Sequence, residues 1–349
     1  MTGHAWAGVC GAAGLVLIVA ATVRAADADS DWIQIEAMDA NAPSGQWKTR
    51  EEARAGALDY LGKQEQTLRG FIASHPGDAH APDAKLRLAH LLATRGDLEQ
   101  DPRQRQKAES VLDELEQEPP MRDRRADVEF ARLSIFMQRV DAVTGQNRDA
   151  LLEKARAFAK AFPDDRRVAP LLAEVASAFD DAPKTARALL DQARPKAATA
   201  ELRARIDDDL KRLTLLGHPL EMKWTSVQGT RIDLEKLRGK PVLIYFFATW
   251  SAPSMYELDW VKQLAARSES TQALGICLDN DPVMVPSMLA DREIAWPVYC
   301  DGRGWQGELV RSLGINALPM LWIVDRNGIL RSLDAKQDAE SLIDKTPRQ

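Results

Sequence analysis

Two serines in the segment FATWSAPSMYE, residues 247–257, raise the first chemical question of this sequence. Ser251 and Ser254 stand on either side of an Ala-Pro pair, directly after Trp250. A serine becomes a nucleophile when a neighbouring base, normally histidine, takes its proton. No histidine follows His218, and no lysine motif takes its place. The pattern therefore disfavours hydrolysis, and we expect Ser254 to cap a following helix with Ser251 as a small residue at its entry.

Cys277 and Cys300 are the other residues whose side chains could do covalent chemistry. In an oxidising compartment such a pair can form one disulfide. The third cysteine, Cys10, lies in the N-terminal segment that we expect to be removed, and the two that remain are too few for a disulfide scaffold or for a cysteine-rich metal site. Free buried thiols, a structural disulfide and a redox-active pair are all compatible with the sequence.

A metal site is a weaker hypothesis. His75, Asp78 and His80 in the stretch HPGDAH could supply ligands, but a turn between two helices accounts for the same residues. We therefore predict no metal site, and nothing in the sequence calls for a cofactor.

The length and charge of the chain limit the function classes. A chain of 349 residues is too long for one ordinary core, so two domains are expected. The formal net charge is −6, and this mild acidity is spread along the chain. Binding to phosphate backbones needs a concentrated basic face. The sequence therefore argues against a nucleic-acid partner.

The N-terminal 25 residues indicate export. An apolar run from about Val9 to Val23 is followed by Val-Arg-Ala, which would allow cleavage after Ala25. We predict a signal peptide over 1–25 and a location in the periplasm or cell envelope. The segment before the run has His4 but no lysine or arginine, so an uncleaved anchor is the alternative, although spanning helices need about 20 residues. Membrane attachment is expected only in that case.

Residues 48–215, after a linker over 26–47, have the composition and periodicity of helices joined by short turns. The stretches FIASHPGD (71–78) and FAKAFPDD (158–165) share Phe, Pro and Asp at matching positions. This region resembles the degenerate tetratricopeptide-like regions of bacterial envelope proteins, without their strict consensus. Such arrays usually present a concave surface to a protein partner. A helical spacer without a ligand is the alternative.

Beyond residue 217 the pattern changes to that of an α/β domain. The segment 221–234 alternates around Gln228-Gly229, which predicts a β-hairpin. Continuous apolar runs over 241–247, 273–278 and 320–325 predict buried strands, and a helix is expected over 254–267. Strands that alternate with helices indicate an α/β sheet.

The segment 217–349 carries motifs of a known family in the family's order. They are Gly239-Lys240-Pro241-Val242-Leu243, Ala248-Thr249-Trp250, Pro253, Glu257, Trp296-Pro297-Val298, Asp301, Ala317-Leu318-Pro319 and Val324-Asp325-Arg326-Asn327-Gly328. This segment resembles the TlpA-like, redoxin (AhpC/TSA-related) branch of the thioredoxin fold. The predicted fold class is thus multidomain, with an all-α helical-hairpin part followed by an α/β thioredoxin-like domain.

The resemblance also implies what the family's site would contain. The family pattern is Trp-Cys-X-Pro-Cys-X-X-Glu, and Ser251 and Ser254 stand at its two cysteine positions. Disulfide exchange needs a thiolate and a resolving thiol, so these positions cannot perform it. Peroxidase chemistry also needs a cysteine in this loop. In the family the residue at Glu257 assists proton transfer, but here we expect a partly buried structural carboxylate.

A binding groove is what the resemblance leaves in place. Trp250, Ala252 and Pro253 would form one side, and Leu318 with a cis-Pro319 the other. In this fold the backbone beside the cis-proline can pair with an extended peptide. We therefore predict an exported, non-catalytic module that binds a protein or peptide partner, or that scaffolds the helical region.

The alternative from the enzyme class is a thiol-disulfide oxidoreductase or antioxidant protein that acts through Cys277 and Cys300. In the family the strands that carry these two positions run parallel near one sheet edge, so a disulfide between them is geometrically possible.

Overall fold

The computed structural model describes residues 27–40, 47, 49–118, 124–138, 145–179, 181–267, 271–335 and 339. The predicted signal peptide, its cleavage site and the alternative anchor lie outside these residues. No helix in the described part of the chain is both long and apolar enough to cross a membrane. The chain forms two compact units, which divide between Phe158 and Ala159.

The first unit is helical. Helix α1 covers 27–40, and α2 to α6 follow as Arg50–Ser74, Ala81–Glu99, Pro102–Glu116, Arg125–Gln138 and Gly145–Ala161. Helix α3 contacts α2, α4 and α5 around a common apolar core. We predicted a linker over 26–47, and α1 corrects this. Its residues Ala28, Trp32 and Ile35 recur at helical spacing and are buried, so this segment is part of the core.

The echo between 71–78 and 158–165 marks two similar helix ends. Phe71 and Phe158 are both buried near the ends of α2 and α6. In the turns that follow, Asp78 accepts a hydrogen bond from the backbone N–H of His80 at 2.8 Å, and Asp165 accepts one from that of Arg167 at 2.8 Å. The echo thus identifies a shared turn, while a tetratricopeptide-like repeat stays a prediction.

The second unit begins with three helices and ends with the sheet. Helices α7, α8 and α9 cover Val168–Ser177, Pro183–Ala193 and Ala200–Leu215. The domain boundary that we predicted near residue 216 is therefore not the boundary between the two compact units. A change of composition marks where helices stop, but it carries no information about which core those helices join.

The α/β part contains a hairpin and a five-stranded sheet. Strands β1 (Lys223–Thr225) and β2 (Arg231–Asp233) form the predicted antiparallel hairpin. The larger sheet has the order β5-β4-β3-β6-β7. Its strands are β3 (Val242–Phe247), β4 (Gln272–Cys277), β5 (Val298–Tyr299), β6 (Met320–Val324) and β7 (Leu330–Ser332). Helices α10 (Ala252–Ala266), α11 (Val285–Asp291) and α12 (Glu308–Leu313) connect them. The predicted succession of helical hairpins and an α/β domain is confirmed.

Helix α9 is joined to the turn after α12 by polar contacts. Arg212 donates to the carbonyl of Gly314, to the carboxylate of Asp209, and to the side-chain oxygen of Asn316 at 2.8 Å. Asn316 in turn donates to Asp209 at 2.9 Å. Gly314 has φ +68°, and a Cβ there would lie 2.5 Å from the carbonyl oxygen of Asp208. Only glycine allows this close approach of the turn to α9.

Replacing Arg212 by alanine should lower the unfolding free energy of the second unit by about 2 kcal/mol, because hydrogen bonds to charged groups contribute about 1.5–3 kcal/mol each. Urea unfolding measures the change. Arg194→Ala is the control, since its pair with Asp207 is about half-exposed on each side and such surface pairs contribute little to stability. Equal unfolding midpoints for the two variants would contradict the role of Arg212.

Candidate functional site

The candidate site lies at one end of the five-stranded sheet. Strands β3, β4 and β5 are parallel, so the loops that follow them leave the sheet at the same end. Strand β6 is antiparallel to β3 and pairs Met320 with Phe246, which places residues 317–319 at that end as well. The topology therefore brings together the two sides of the groove predicted from the sequence.

The loop after β3 is held by a buried carboxylate. Asp279, in the loop after β4, accepts the backbone N–H of Thr249 at 2.8 Å and its hydroxyl at 2.6 Å. Asp279 is itself buried. These two bonds fix the backbone directly before Trp250. Sequence reasoning missed this pair, because nothing in either segment shows that the two loops face each other.

The two serines bond to each other. Ser251 is the N-cap of α10 and accepts from the backbone N–H of Ser254 at 3.4 Å. The Ser254 hydroxyl donates to the Ser251 hydroxyl oxygen at 2.9 Å. We predicted Ser254 as the cap, and this was wrong. The helix begins at Ala252, so Ser254 is the third helical residue, whose N–H is one of the unpaired donors that a cap receives.

Both serines are shielded from solvent. Ser254 is fully buried, Ser251 nearly so, and the Tyr245 hydroxyl donates to the carbonyl of Ser254 at 2.7 Å. Burial, together with the negative charge of Glu257, raises the pKa of Tyr245. Tyr245 therefore stays a neutral donor. Glu257 is half-buried on α10, as the sequence predicted, and it acts here through its charge on Tyr245.

Two tryptophans form the exposed part of the site. Trp250 is 58% exposed and Trp305 is 38% exposed, and their ring centroids lie 6.5 Å apart at an interplanar angle of 57°. Sequence reasoning did not place Trp305 at this surface. Gly304, with φ +52°, explains its position, because a Cβ there would lie 2.4 Å from the side-chain oxygen of Asn280. This close approach brings the loop of Trp305 against the loop after β4.

The residues predicted for the other side of the groove lie in the loop before β6. The peptide bond between Leu318 and Pro319 is cis, and both residues are half-buried, whereas Ala317 is exposed. A cavity of about 220 Å³ separates this loop from α7, α8 and α9. Pro319 and Met320 line it on the sheet side, and Arg212 lies among its helical residues. Ala252 and Pro253, in the first turn of α10, are exposed.

The cysteines lie beneath this surface, at the ends of β4 and β5. Both are free thiols; Cys277 is buried and Cys300 is half-buried. The Cys277 thiol bonds to the Cys300 sulfur, and in the protonated form Cys300 donates to the carbonyl of Asp279 at 3.8 Å. The bond to Cys300 and burial raise the pKa of Cys277. The donor Cys277 lowers the pKa of Cys300 to about 7.

The candidate metal ligands do not form a site. His75 bonds through Nε2 to Asp31 at 2.9 Å, and His80 stacks on Trp32 with ring centroids 4.5 Å apart. Asp78 is occupied in the turn described above. Within the described ranges, no cluster of three or more His, Cys, Asp or Glu residues could hold a metal ion.

Comparisons with known proteins agree with this geometry. Residues 217–346 match the family profile described as Redoxin. The Thiol-disulfide oxidoreductase ResA of Bacillus thuringiensis subsp. konkukian (strain 97-27) is 26% identical over 121 residues, which are 34% of this chain and 68% of that protein.

Two solved structures are similar to the same part of the chain. A thiol:disulfide interchange protein of the thioredoxin family from Chlorobium tepidum TLS is 22% identical, with a TM-score of 0.33, over 38% of this chain and 95% of that one. A thiol-disulfide oxidoreductase from Bacteroides fragilis NCTC 9343 is 21% identical, with a TM-score of 0.31, over 35% and 93%. Residues 217–346 thus match the Redoxin profile and contain a five-stranded sheet of the order β5-β4-β3-β6-β7, in a domain with a thioredoxin-like fold.

Proposed function

We propose that this chain is an exported binding module, non-catalytic at its site loop, that takes an extended segment of a protein partner between the Trp250–Trp305 pair and the Pro319 loop. The observation that carries the proposal is the hydroxyl pair of Ser251 and Ser254 at the start of α10, beside an exposed aromatic surface.

The chemistry of the serines supports the non-catalytic part. Thiol-disulfide exchange proceeds by attack of a thiolate on a disulfide sulfur, and a second thiol then resolves the mixed disulfide. A serine hydroxyl at neutral pH is neither a thiolate nor able to form that bond. Ser251 and Ser254 are also bonded to each other and nearly inaccessible, and their neighbour Tyr245 is a neutral donor.

The site loop keeps its shape through contacts that do not involve thiols. Asp279 fixes Thr249, and the hydroxyl of Ser251 caps α10. Both interactions hold Trp250 at the surface. We infer that the loop can serve as a binding surface although serines stand at its two cysteine positions.

The exposed aromatic pair supports the choice of a polypeptide as the ligand. Tryptophan is among the residues that contribute most to protein interfaces, since it offers a large apolar surface with few rotatable bonds. An extended chain passing over Trp250 and Trp305 could also reach the half-buried Leu318-Pro319 pair, whose backbone would supply hydrogen bonds. The α7–α9 side of the cavity would limit how far the ligand extends.

Restoring thiols at the site tests the chemical part. In a Cys277→Ser, Cys300→Ser background, the further change Ser251→Cys, Ser254→Cys should create turnover of a protein disulfide in the presence of a dithiol reductant. The background protein should show none. Ser251→Cys alone is the matched control, because one thiol can form a mixed disulfide but has no partner to resolve it.

Two results would count against this part of the proposal. Equal turnover with and without the restored cysteines would show that another group does the chemistry. A doubly restored variant that folds but stays inert would show that the loop no longer has a reactive geometry. Turnover by the unmodified chain that the Cys277→Ser, Cys300→Ser change abolishes would instead support the oxidoreductase alternative.

Truncating Trp250 tests the binding part. Trp250→Ala should weaken binding of an unfolded polypeptide with blocked cysteines by about 2 kcal/mol, or roughly 30-fold, as expected for an interfacial tryptophan. Fluorescence anisotropy of the labelled polypeptide measures the change. Trp47→Ala is the control, because Trp47 is 45% exposed and lies in the first compact unit. An equal effect of the two substitutions would contradict binding at the site loop.

A further inference from the structure

The thiols of Cys277 and Cys300 take no part in the proposed binding surface, yet the sheet brings them together. The parallel pairing of β4 with β5 matches Ile276 with Tyr299, and the next positions along both chains are the two cysteines. Neighbouring strands lie about 4.7–4.9 Å apart. A disulfide needs Cα atoms separated by about 4.4–6.8 Å. Continued by one position, this register places the two cysteines at a strand-to-strand spacing that a disulfide can span.

The side chains also point the right way. Residues paired across two strands lie on the same face of a sheet. Cys277 belongs to one apolar cluster in the core, and Cys300 packs against that same cluster. A disulfide between the two cysteines would thus form without either side chain moving to a different part of the core.

The two thiols differ in exposure and in pKa, as an attacking and a resolving cysteine do. Cys300 is half-buried and accepts from the Cys277 thiol and from the backbone N–H of Gly302. These donors lower the pKa of Cys300 to about 7, although burial and the charge of Asp279 oppose the shift. Cys277 is buried and keeps the shared proton, so its pKa is raised. Near neutral pH a substantial fraction of the more accessible sulfur, Cys300, is therefore thiolate, which is the nucleophile in disulfide exchange.

We propose that Cys277 and Cys300 form a redox site that is oxidised by a disulfide compound and closes to an intrachain disulfide. The Cys300 thiolate attacks one sulfur of the oxidant, whose S–S bond breaks and releases the first thiolate, which takes up a proton. Cys277 then loses its proton and attacks the Cys300 sulfur, which releases the second thiol. The two cysteines lose two electrons and two protons, and the oxidant becomes two thiols.

This redox site is independent of the proposed binding function. Neither sulfur belongs to the Trp250–Trp305 surface, and the site loop is fixed through the carboxylate of Asp279, not through a thiol. Loss of polypeptide binding and loss of thiol reactivity can therefore be measured separately.

The assigned nucleophile gives a pH prediction. Alkylation of Cys300 by iodoacetamide requires the thiolate, so its rate should rise with pH and reach half its maximum near pH 7, against an ordinary thiol pKa of 9.0. Cys277→Ala removes the donor, and the midpoint should move upward. Cys277→Ser keeps a donor and should leave the midpoint near that of the unmodified protein. If both variants titrate alike, the hydrogen bond from residue 277 does not set the pKa.

Peptide mapping of the full chain tests the proposal directly. The protein is equilibrated in glutathione disulfide and glutathione buffers of increasing ratio and quenched with acid. Its free thiols are then alkylated with excess reagent in denaturant near neutral pH, and the chain is digested with trypsin. The two cysteines fall in separate peptides, residues 268–292 and 293–303. The expected product is the linked pair of peptides, with loss of both free thiols and recovery of both after a dithiol reductant.

The single variants separate the two steps. Cys277→Ser should stop at a stable glutathione adduct on Cys300, whereas Cys300→Ser should leave Cys277 alkylatable at every ratio. Circular dichroism confirms that each variant is folded. Recovery of both unmodified peptides as free thiols from the natural chain at every ratio, or of a glutathione adduct that never yields the linked peptides, would overturn the proposal.

Discussion

The carboxylate of Asp279 is the interaction on which the candidate site depends. It accepts both the N–H and the hydroxyl of Thr249, at 2.8 and 2.6 Å, and so joins the loop after β3 to the loop after β4. The backbone carbonyl of the same residue accepts from the half-buried thiol of Cys300. Because Asp279 is buried, leaving these donors without it would cost about 1–3 kcal/mol for each unsatisfied group. Asp279 thus fixes the loop that carries Trp250 and also contacts the thiol of Cys300.

The position of the reactive groups follows from this arrangement. Ser251 and Ser254 occupy the entry of α10, where a helix N-terminus would lower the pKa of a thiol. A serine hydroxyl stays protonated at the same helix end, and there it accepts a backbone hydrogen bond as a cap. The thiols lie instead at the end of β4 and directly after β5, where hydrogen-bond donors, and not a helix, lower the pKa of Cys300. The binding surface and the redox pair that we propose are therefore separate parts of one sheet.

Much of the fold could be predicted from the sequence, because its signals are local. The apolar runs became β3, β4 and β6, and alternation around Gly229 became the β1–β2 hairpin. The failures concern contacts between distant segments. Residues 27–40 were assigned to a linker because they contain few apolar positions. These positions are recognised as core residues only once the helices that bury them are known. Likewise, α7 to α9 join the unit that contains the sheet, through groups such as Arg212 and Asn316.

The sequence indicated most residues of the candidate site, but it did not show which hydrogen bonds they make. The serines, Trp250 and the Leu318-Pro319 pair were visible in the motif, and the topology brings them to one end of the sheet. The cap was assigned to the wrong serine, because a one-turn shift in the start of α10 changes which hydroxyl receives the free N–H. Thr249 was visible as part of a motif, but no local signal showed that it bonds to Asp279 or that Trp305 lies beside Trp250.

Hydrogen exchange followed by mass spectrometry tests the central claim most directly. It would compare the chain alone with the chain bound to an unfolded polypeptide whose cysteines are blocked. The account predicts protection in the segments 248–253, 303–306 and 316–320, with no covalent adduct at Ser251 or Ser254. Protection confined to other segments, or none at all, would contradict a binding site at the end of the sheet.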